Sequence, residues 1–431
     1  MFRGGVEFID FKSLSKEEPI ENFKEPDKVV IPLSQHTGIP AKLVVRKGDN
    51  VLKGQVIGEI AGFISSSVHS SISGKVIGVE DILTHTYKIS PAVIIENDGS
   101  GKEIEKKKND WFSLSPSEII ELVSKNGVVG LGGATFPSHV KLVIPHGKKC
   151  EAVILNGCEC EPFLTCDYRV LKENTEDVII GLEIICKTLG VKKAYIGIEQ
   201  NKIDIAEKIK KVIKNKSCEI ELKVLPKKYP QGSEKHLIKS ITGKEVPSGG
   251  LPIDVGIVVF NVQTAISIKN AVCDGEPLIE RVITVSGLVE RPKNLRVKIG
   301  TSISEVITYC EGELEEGSKI VIGGPMMGMN IPSSDIPVIK GTTGILILPE
   351  EILPEEIEPC IRCGKCIDAC PMNLCPAEIG RYAELKKWEE VEKLSVSDCI
   401  ECGCCSYICP SKRPLVELFK WAKTKIKRKK E

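Results

Sequence analysis

Ten of the eighteen cysteines lie between Cys360 and Cys409, in two runs of one pattern. Cys360-x-x-Cys363-x-x-Cys366-x-x-x-Cys370-Pro371 is followed by Cys399-x-x-Cys402-x-x-Cys405-x-x-x-Cys409-Pro410. Three thiolates at this close spacing let one tight loop wrap three corners of an iron–sulfur cubane. The last cysteine opens a new chain direction, and the proline after it stops the local helix. Structural zinc sites use two separated pairs to close a single tetrahedron, which fits two runs of four poorly. Two such clusters form a relay, because one-electron hops need neighbouring sites and no substrate pocket. Cys375 and Cys404 fall outside the pattern and read as packing residues beside it.

The spacing is that of bacterial two-cluster ferredoxins, in which the fourth cysteine of each run ligates the other cluster. This resemblance assigns Cys360, Cys363, Cys366 and Cys409 to one [4Fe-4S] cluster, and Cys399, Cys402, Cys405 and Cys370 to the second. Between the runs, Ala377 to Leu394 is rich in Glu, Lys, Leu and Ala at helical spacing and predicts a helical frame.

A second feature lies far upstream. Gly127-Val128-Val129-Gly130-Leu131-Gly132-Gly133-Ala134-Thr135-Phe136-Pro137 is a glycine-rich loop that lets backbone N–H groups approach a phosphate closely. Alone, such a loop is as readily a structural turn as a ligand loop. Cys158, Cys160 and Cys166 invite a third metal centre, but their irregular spacing and the lack of a nearby fourth thiol favour packing beside a cofactor.

The elements that must position these groups follow from periodicity. With 431 residues, the chain calls for about three or more domains. A polar N-terminal extension, residues 1–26, leads into a β-rich stretch from Val29 to Glu96 within residues 27–100. There Lys53-Gly54-Gln55-Val56-Ile57-Gly58 and Ser73-Gly74-Lys75-Val76-Ile77-Gly78 read as related halves of a barrel-sandwich resembling lipoyl carriers. The segment between the halves, Ala61 to Ser67, has no lysine to modify, so a scaffold role is expected.

Residues 101–275 alternate helices and strands, as in a parallel doubly wound sheet. Ser115-Pro116-Ser117-Glu118 is a capping box that opens a helix to Lys125. Strands are predicted at Glu151 to Leu155, Lys193 to Ile198, Ile220 to Val224 and Val255 to Phe260. Helices are predicted at Thr175 to Leu189, Lys202 to Lys214 and Gln263 to Val272. Residues 276–352 return to short β runs, residues 353–415 carry the cysteine runs, and 416–431 form a basic tail expected to be a solvated helix end.

Composition narrows the partners. Lys plus Arg and Asp plus Glu both count 59, so no long-range field steers the chain to nucleic acid. No export leader opens it, so the sequence predicts a cytoplasmic protein with reduced thiols. The most apolar stretch, Leu251 to Val272, is broken by Asp254, Asn261, Gln263 and Lys269, so no transmembrane segment is expected.

The glycine loop is similar to the signature of the NADH-oxidising flavoprotein subunit of respiratory complex I, and the chain as a whole resembles the RnfC family of the Rnf electron transport complex. The phrases that carry the resemblance are Gly132 to Pro137, Leu155-Asn156-Gly157-Cys158-Glu159-Cys160-Glu161-Pro162, Tyr229-Pro230-Gln231-Gly232, Val246 to Pro252, Gly275 to Arg281 and Gly323 to Gly328. It implies a multidomain α/β protein: a lipoyl-like barrel-sandwich, a Rossmann-like FMN/NAD domain, a β-grasp (SLBB) domain and a helical two-cluster ferredoxin domain. It further implies that Gly130, Gly132, Lys141, Asn156, Glu159, Tyr229, Gly232, Asn261 and Thr264 hold FMN. Gly133, Ala134, Phe136, Glu161 and Glu234 would face NAD(H). Two positions depart from the complex I pattern: Leu131 stands where the signature has Arg, and Cys158 where it has Asp.

The function so implied is electron transfer between NAD(H), FMN and two [4Fe-4S] clusters. It would take place in a membrane-associated, ion-translocating ferredoxin:NAD+ oxidoreductase, peripheral on the cytoplasmic face. The partners implied are its other membrane and peripheral subunits, with ferredoxin engaged indirectly. The sequence leaves two alternatives open: a related flavin/iron–sulfur reductase of the cobalamin reductase type, and an electron-relay or assembly subunit without its own NAD site.

Overall fold

The structure, a computed structural model, describes residues 2–84, 87–214, 216–312, 317–349 and 357–430. Residues 2–26 of the N-terminal extension pack onto later domains. Their strand β1 (Ile20–Asn22) pairs in parallel with a strand of the third domain, at Asn294 to Arg296. Upstream, Gly5 N–H donates to the carbonyl of Ala369 and Val6 bridges Tyr229. Phe11 stacks on Phe163, and the buried Lys12 donates to the carbonyls of Glu161 and Leu164.

The barrel-sandwich follows as two small sheets. One holds β2 (Lys28–Pro32), β4 (Asn50–Val51), β7 (Gly74–Leu83) and β8 (Ile89–Asn97); the other holds β3 (Lys42–Leu43), β5 (Val56–Glu59) and β6 (Val68–His69). Alternation along β2 and β8 sends Val29, Ile31, Val93 and Ile95 inward, and the core closes over Val129 and Leu131 of the glycine loop.

The α/β domain opens with α1 (Pro116–Lys125). Its cap is the one the sequence encodes: Glu118 N–H donates to Ser115 Oγ and Ser115 N–H to Glu118 Oε2. After the short α2 (Ser138–Lys141), four parallel strands form one sheet: β9 (Ala152–Gly157), β10 (Lys193–Glu199), β11 (Glu219–Leu225) and β12 (Ile257–Asn261), ordered β11-β10-β9-β12. Around it pack α3 (Cys166–Glu173), α4 (Thr175–Leu189), α5 (Ala206–Val212), α6 (Glu234–Thr242) and α7 (Val262–Lys269). The helix expected at Lys202 to Lys214 begins instead as a 3-10 turn over Gln200–Ile205, with Lys202 drawn into the interior. Gly181 lets α4 lie against α7, because a Cβ there would collide with the Ala265 carbonyl oxygen.

The third domain sets α8 (Ile303–Tyr309) on a six-stranded sheet ordered β1-β14-β13-β17-β15-β16. Its own strands are β13 (Glu280–Gly287), β14 (Lys293–Lys298), β15 (Lys319–Ile322), β16 (Met329–Ile331) and β17 (Gly344–Leu348).

The last domain is helical: α9 (Lys365–Ala369), α10 (Pro376–Glu384), α11 (Trp388–Lys393), α12 (Cys404–Tyr407) and α13 (Leu415–Lys430). Its expected start at residue 353 lies outside the described residues. The stretch expected as one helical frame is two helices, parted where Lys386 takes a left-handed φ of 57°. The basic tail keeps Lys420, Lys425, Lys427 and Arg428 exposed, but its helix is anchored along one face. Val416, Phe419, Ala422 and Ile426 line one face of α13 and are buried against Ile379, Ala383 and Val391.

Candidate functional site

Each cysteine run folds into the same loop. Arg362 and Glu401, Gly364 and Gly403, and Asn373 and Lys412 all take left-handed backbone conformations at matching places in the two runs. These turns aim three thiols of one run inward. The ring completes across the runs: Cys360, Cys363, Cys366 and Cys409 line one cavity, and Cys370, Cys399, Cys402 and Cys405 line another. Cys363 belongs to the first set and Cys370 to the second, although both come from the same run. The second cavity is walled by Pro371, Met372, Leu374, Val416 and Phe419. Backbone N–H groups already point at sulfur, from Leu374 to Cys370 Sγ (3.4 Å) and from Glu401 to Cys399 Sγ (3.3 Å). Four soft donors around an apolar space fit a four-iron cluster in each ring, and in the second ring N–H···S bonds are already in place.

The two rings differ in setting. Cys360 and Cys363 are exposed, beside exposed Ile361 and Ile367, whereas Cys370, Cys402 and Cys405 are buried. The second ring faces the α/β domain and the third domain. His236 Nε2 meets the Pro371 carbonyl at 3.0 Å, Asp398 accepts from Ser248 Oγ and Gly249 N–H, and Gly403 lies against Met326.

Upstream, the strand order reverses between β9 and β12, and the crevice outside the carboxyl ends of such strands is where an α/β sheet binds ligands. Asn156 and Asn261 close those two strands in register with each other. Asn156 Nδ2 donates to the Gly232 carbonyl (2.7 Å), and Asn261 Nδ2 to Asp167 (2.5 Å). Glu159 accepts from the N–H groups of Asp167 and Tyr168 at the start of α3. Lys141 pairs with Glu234 at 2.7 Å, donates to the Val259 carbonyl and lies over the Phe260 ring.

The glycine loop comes down on this crevice, with Gly132 next to Asn261. Its other side is tied down: Thr264 Oγ1 accepts from Leu131 N–H, Gly130 N–H donates to the Phe136 carbonyl, and Thr37 of the barrel-sandwich donates to the Ala134 and Thr135 carbonyls. Gly132, Gly133 and Ala134 are exposed, and a Cβ on Gly133 would meet nothing within 4 Å. Among the described residues no protein acceptor takes the N–H groups of Gly132 and Gly133. A loop with bound carbonyls and free N–H groups, over a sheet's switch point, fits a phosphate-bearing flavin.

Most of the residues expected at this crevice are therefore brought to it, while two face elsewhere. Tyr229 is buried, its hydroxyl on Glu161 (3.1 Å), and it packs with Val6, Ala369, Cys402 and Cys404. Glu161 also accepts from Met326 N–H, and burial pushes its carboxyl up to about 7 against those two hydrogen bonds. This pair lies between the crevice and the second thiol ring. Cys158 and Cys160 flank Gly232, while Cys166 turns away toward the Thr343 carbonyl beside Glu159 and Asp167. The sequence reading missed a layer of buried charge beneath the crevice. Burial and then the Glu159 charge push Asp167 up to about 6. For Lys202, Glu199 and Glu159 more than offset burial and raise its pKa. No local periodicity announces such residues.

A parallel-sheet flavin-type crevice joined to twin four-thiol loops defines the class: modular electron carriers that pair a flavin domain with a two-cluster ferredoxin domain. Four family models match in chain order: an RnfC barrel sandwich hybrid domain at residues 1–100, a Nuo51 FMN-binding domain at 123–270, an SLBB domain at 282–330 and a 4Fe-4S dicluster domain at 354–410. The chain is 46% identical over 396 residues to the C subunit of the proton-translocating ferredoxin:NAD(+) oxidoreductase complex of Clostridium ljungdahlii, covering 91% of this chain and 86% of that one. It is 44% identical over 430 residues to the Na(+)-translocating counterpart of Acetobacterium woodii, with 99% and 97% covered. To the C subunit of the ion-translocating oxidoreductase complex of Rhodobacter capsulatus it is 43% identical, with 98% and 83% covered. The chain belongs to the RnfC family of ion-translocating (Rnf) oxidoreductase complexes. Two crystal structures of NAD+-reducing [NiFe]-hydrogenase, H2-reduced and air-oxidized, share the fold at 18% identity. Their TM-scores are 0.50 and 0.52, and the match covers 71% of this chain and 63% of each of those. Among the described residues no helix is long and apolar enough to cross a membrane.

Proposed function

We propose that this chain is the NAD-linked electron-transfer subunit of a ferredoxin:NAD+ oxidoreductase complex that moves ions across a membrane. It would lie on the cytoplasmic face, bound to the other subunits, with ferredoxin oxidised elsewhere in the assembly. Gly130, Gly132, Lys141, Asn156, Glu159, Gly232, Asn261 and Thr264 form the FMN cradle, with Tyr229 and Glu161 as its wall toward the clusters. Gly133, Ala134, Phe136 and Glu234 face the nicotinamide nucleotide. The eight ring cysteines hold two [4Fe-4S] clusters in crossed sets.

FMN bound in the crevice supplies the exchange between hydride transfer with NAD(H) and single-electron transfer with iron–sulfur clusters. The protein's part is to hold, orient and insulate. Asn156 and Asn261 offer amide groups at the strand ends, the free N–H groups of Gly132 and Gly133 receive an anion, and Lys141 sets a cation beside Glu234. No side chain at the crevice is asked to act as a general base.

One observation carries the reading: Tyr229 joins the crevice to the second thiol ring. Gly232, just beyond Tyr229 in the chain, binds Asn156, and the Tyr229 ring packs with Cys402 and Cys404. The buried ring is thus the cluster next to the flavin, and the exposed ring with Cys360 and Cys363 faces the partner. Anaerobic purification followed by iron, sulfide and flavin analysis tests this, together with NADH-driven reduction of a dye. About eight irons and one flavin per chain, with NADH-dependent activity, are expected. A folded chain with a full complement of iron, no flavin and no NADH reaction would refute it.

A further inference from the structure

Leu131 leaves the glycine loop without the arginine of the related signature, yet a guanidinium reaches the same peptide from another domain. Arg281, the second residue of β13, is only 2% exposed and donates from Nη2 to the Leu131 carbonyl at 3.1 Å. Its Nη1 donates to the Lys340 carbonyl and its Nε to the Val282 carbonyl at 3.4 Å, so among the described residues its hydrogen bonds all end on main-chain oxygens. Nearby carboxylates are committed elsewhere: Asp167 takes the side-chain amides of Asn261 and Gln263. A buried cation without a hydrogen-bonded carboxylate is costly.

The geometry gives it a use. The Leu131 peptide separates the guanidinium from the exposed N–H groups of Gly132 and Gly133. Holding the carbonyl inward also leaves the next N–H groups facing out. Charge and N–H groups then act on the same point above the loop, from a guanidinium that is itself buried just beneath it. Burial lowers the pKa of Arg281 to about 10, with Cys166 and Asp167 opposing the shift, so it stays charged at neutral pH.

We propose that Arg281 is a positioning residue that charges the glycine loop for phosphate-bearing ligands, supplying from the β-grasp domain the cation that Leu131 does not. The proposal rests on the flavin reading of the crevice. It distinguishes ligands by their phosphate: FMN gains from Arg281, and riboflavin, with the same ring and ribityl chain but no phosphate, does not.

The test uses the full-length protein with clusters intact and flavin removed, titrated with FMN and with riboflavin by fluorescence quenching. Arg281→Gln keeps an N–H donor for the Leu131 carbonyl and drops the charge; Arg281→Lys keeps the charge. The glutamine variant should bind FMN about tenfold or more weakly while riboflavin affinity changes by less than about threefold, and the lysine variant should keep most of the FMN preference. Equal loss of both flavins in Arg281→Gln, no loss of either, or collapse of both variants to iron-free unfolded chains would each overturn the proposal and leave Arg281 a scaffold residue. If the unsubstituted protein binds neither flavin, the flavin reading itself fails, which is a separate result.

Discussion

Crossed ligation makes a quantitative demand on double cysteine variants. The cavities place Cys370 with Cys399, and Cys363 with Cys409, although Cys363 and Cys370 are neighbours in sequence. Replacing Cys370 and Cys399 by alanine removes two of four donors from the buried ring and none from the exposed one, so about four irons per chain should remain. Replacing Cys363 and Cys370 removes one donor from each ring, so both clusters are damaged and iron falls well below four. The assay is iron and acid-labile sulfide per chain after anaerobic purification, with electron paramagnetic resonance of the dithionite-reduced protein. Cys370→Ala/Cys399→Ala should give the simple signal of one isolated cluster; the wild type should show two coupled spins. Loss of the buried ring also loosens the contacts of Pro371 with His236 and of Asp398 with Ser248, each worth about 1 kcal/mol, so this variant should melt earlier than one emptied at Cys360 and Cys363. If Cys363→Ala/Cys370→Ala keeps about four irons while Cys370→Ala/Cys399→Ala keeps none, each run builds its own cluster and the crossed geometry is wrong.

Other perturbations reach other links of the chain. Lys340 is fully buried, its Nζ on the carbonyls of Ser67 and Gly127, and burial lowers its pKa from 10.5 to about 7. The unfolded chain therefore binds more protons than the native one between those values, and stability should rise with pH across that window by up to about 5 kcal/mol. Lys340→Met should flatten that rise, as read by denaturant titration at pH 7 and pH 9; an unchanged slope would exclude Lys340 as its source. Tyr229→Phe should cost about 1 kcal/mol through the lost hydrogen bond to Glu161 and leave flavin content intact, whereas Tyr229→Ala should slow cluster reduction by NADH in stopped flow. Phe23, from the N-terminal segment, is buried in the β-grasp core beside Ile283 and Leu295, so Phe23→Ala should cost about 3–5 kcal/mol and speed hydrogen exchange in β1 and β14.

The features that could be read in advance are those whose physics is local. Cysteine spacing dictates a loop, Ser115 and Glu118 dictate a cap, and the apolar run from Thr175 to Leu189 dictates a helix with those same ends. The basic tail was half legible: its exposed lysines follow from composition, while the four apolar residues at helical spacing that set its place were overlooked. Lys12, Lys202 and Arg281 were illegible for a different reason: each is a polar residue whose partners lie in remote segments, and nothing in its own neighbourhood marks it as buried. The crevice residues were accessible through resemblance to a known signature, but the turn of Tyr229 and Glu161 toward the clusters depends on how two domains meet.

The N-terminal strap also constrains the order of biogenesis. Gly5 binds Ala369 and Phe23 fills a core built from β13 and β14, so these early residues complete units that leave the ribosome much later. At a synthesis rate of roughly 5–20 residues per second, Gly5 waits on the order of 20–70 s for its partner. The partners of this segment emerge in turn: Tyr229 for Val6, then β13 and β14 for β1 and Phe23, and Ala369 last. The later domains can acquire their secondary structure as they emerge, while the contact of Gly5 with Ala369 can form only once the first cysteine run has been made. Residues near Gly5 should therefore gain their full resistance to proteolysis only in stalled nascent chains long enough to expose Ala369 outside the ribosome.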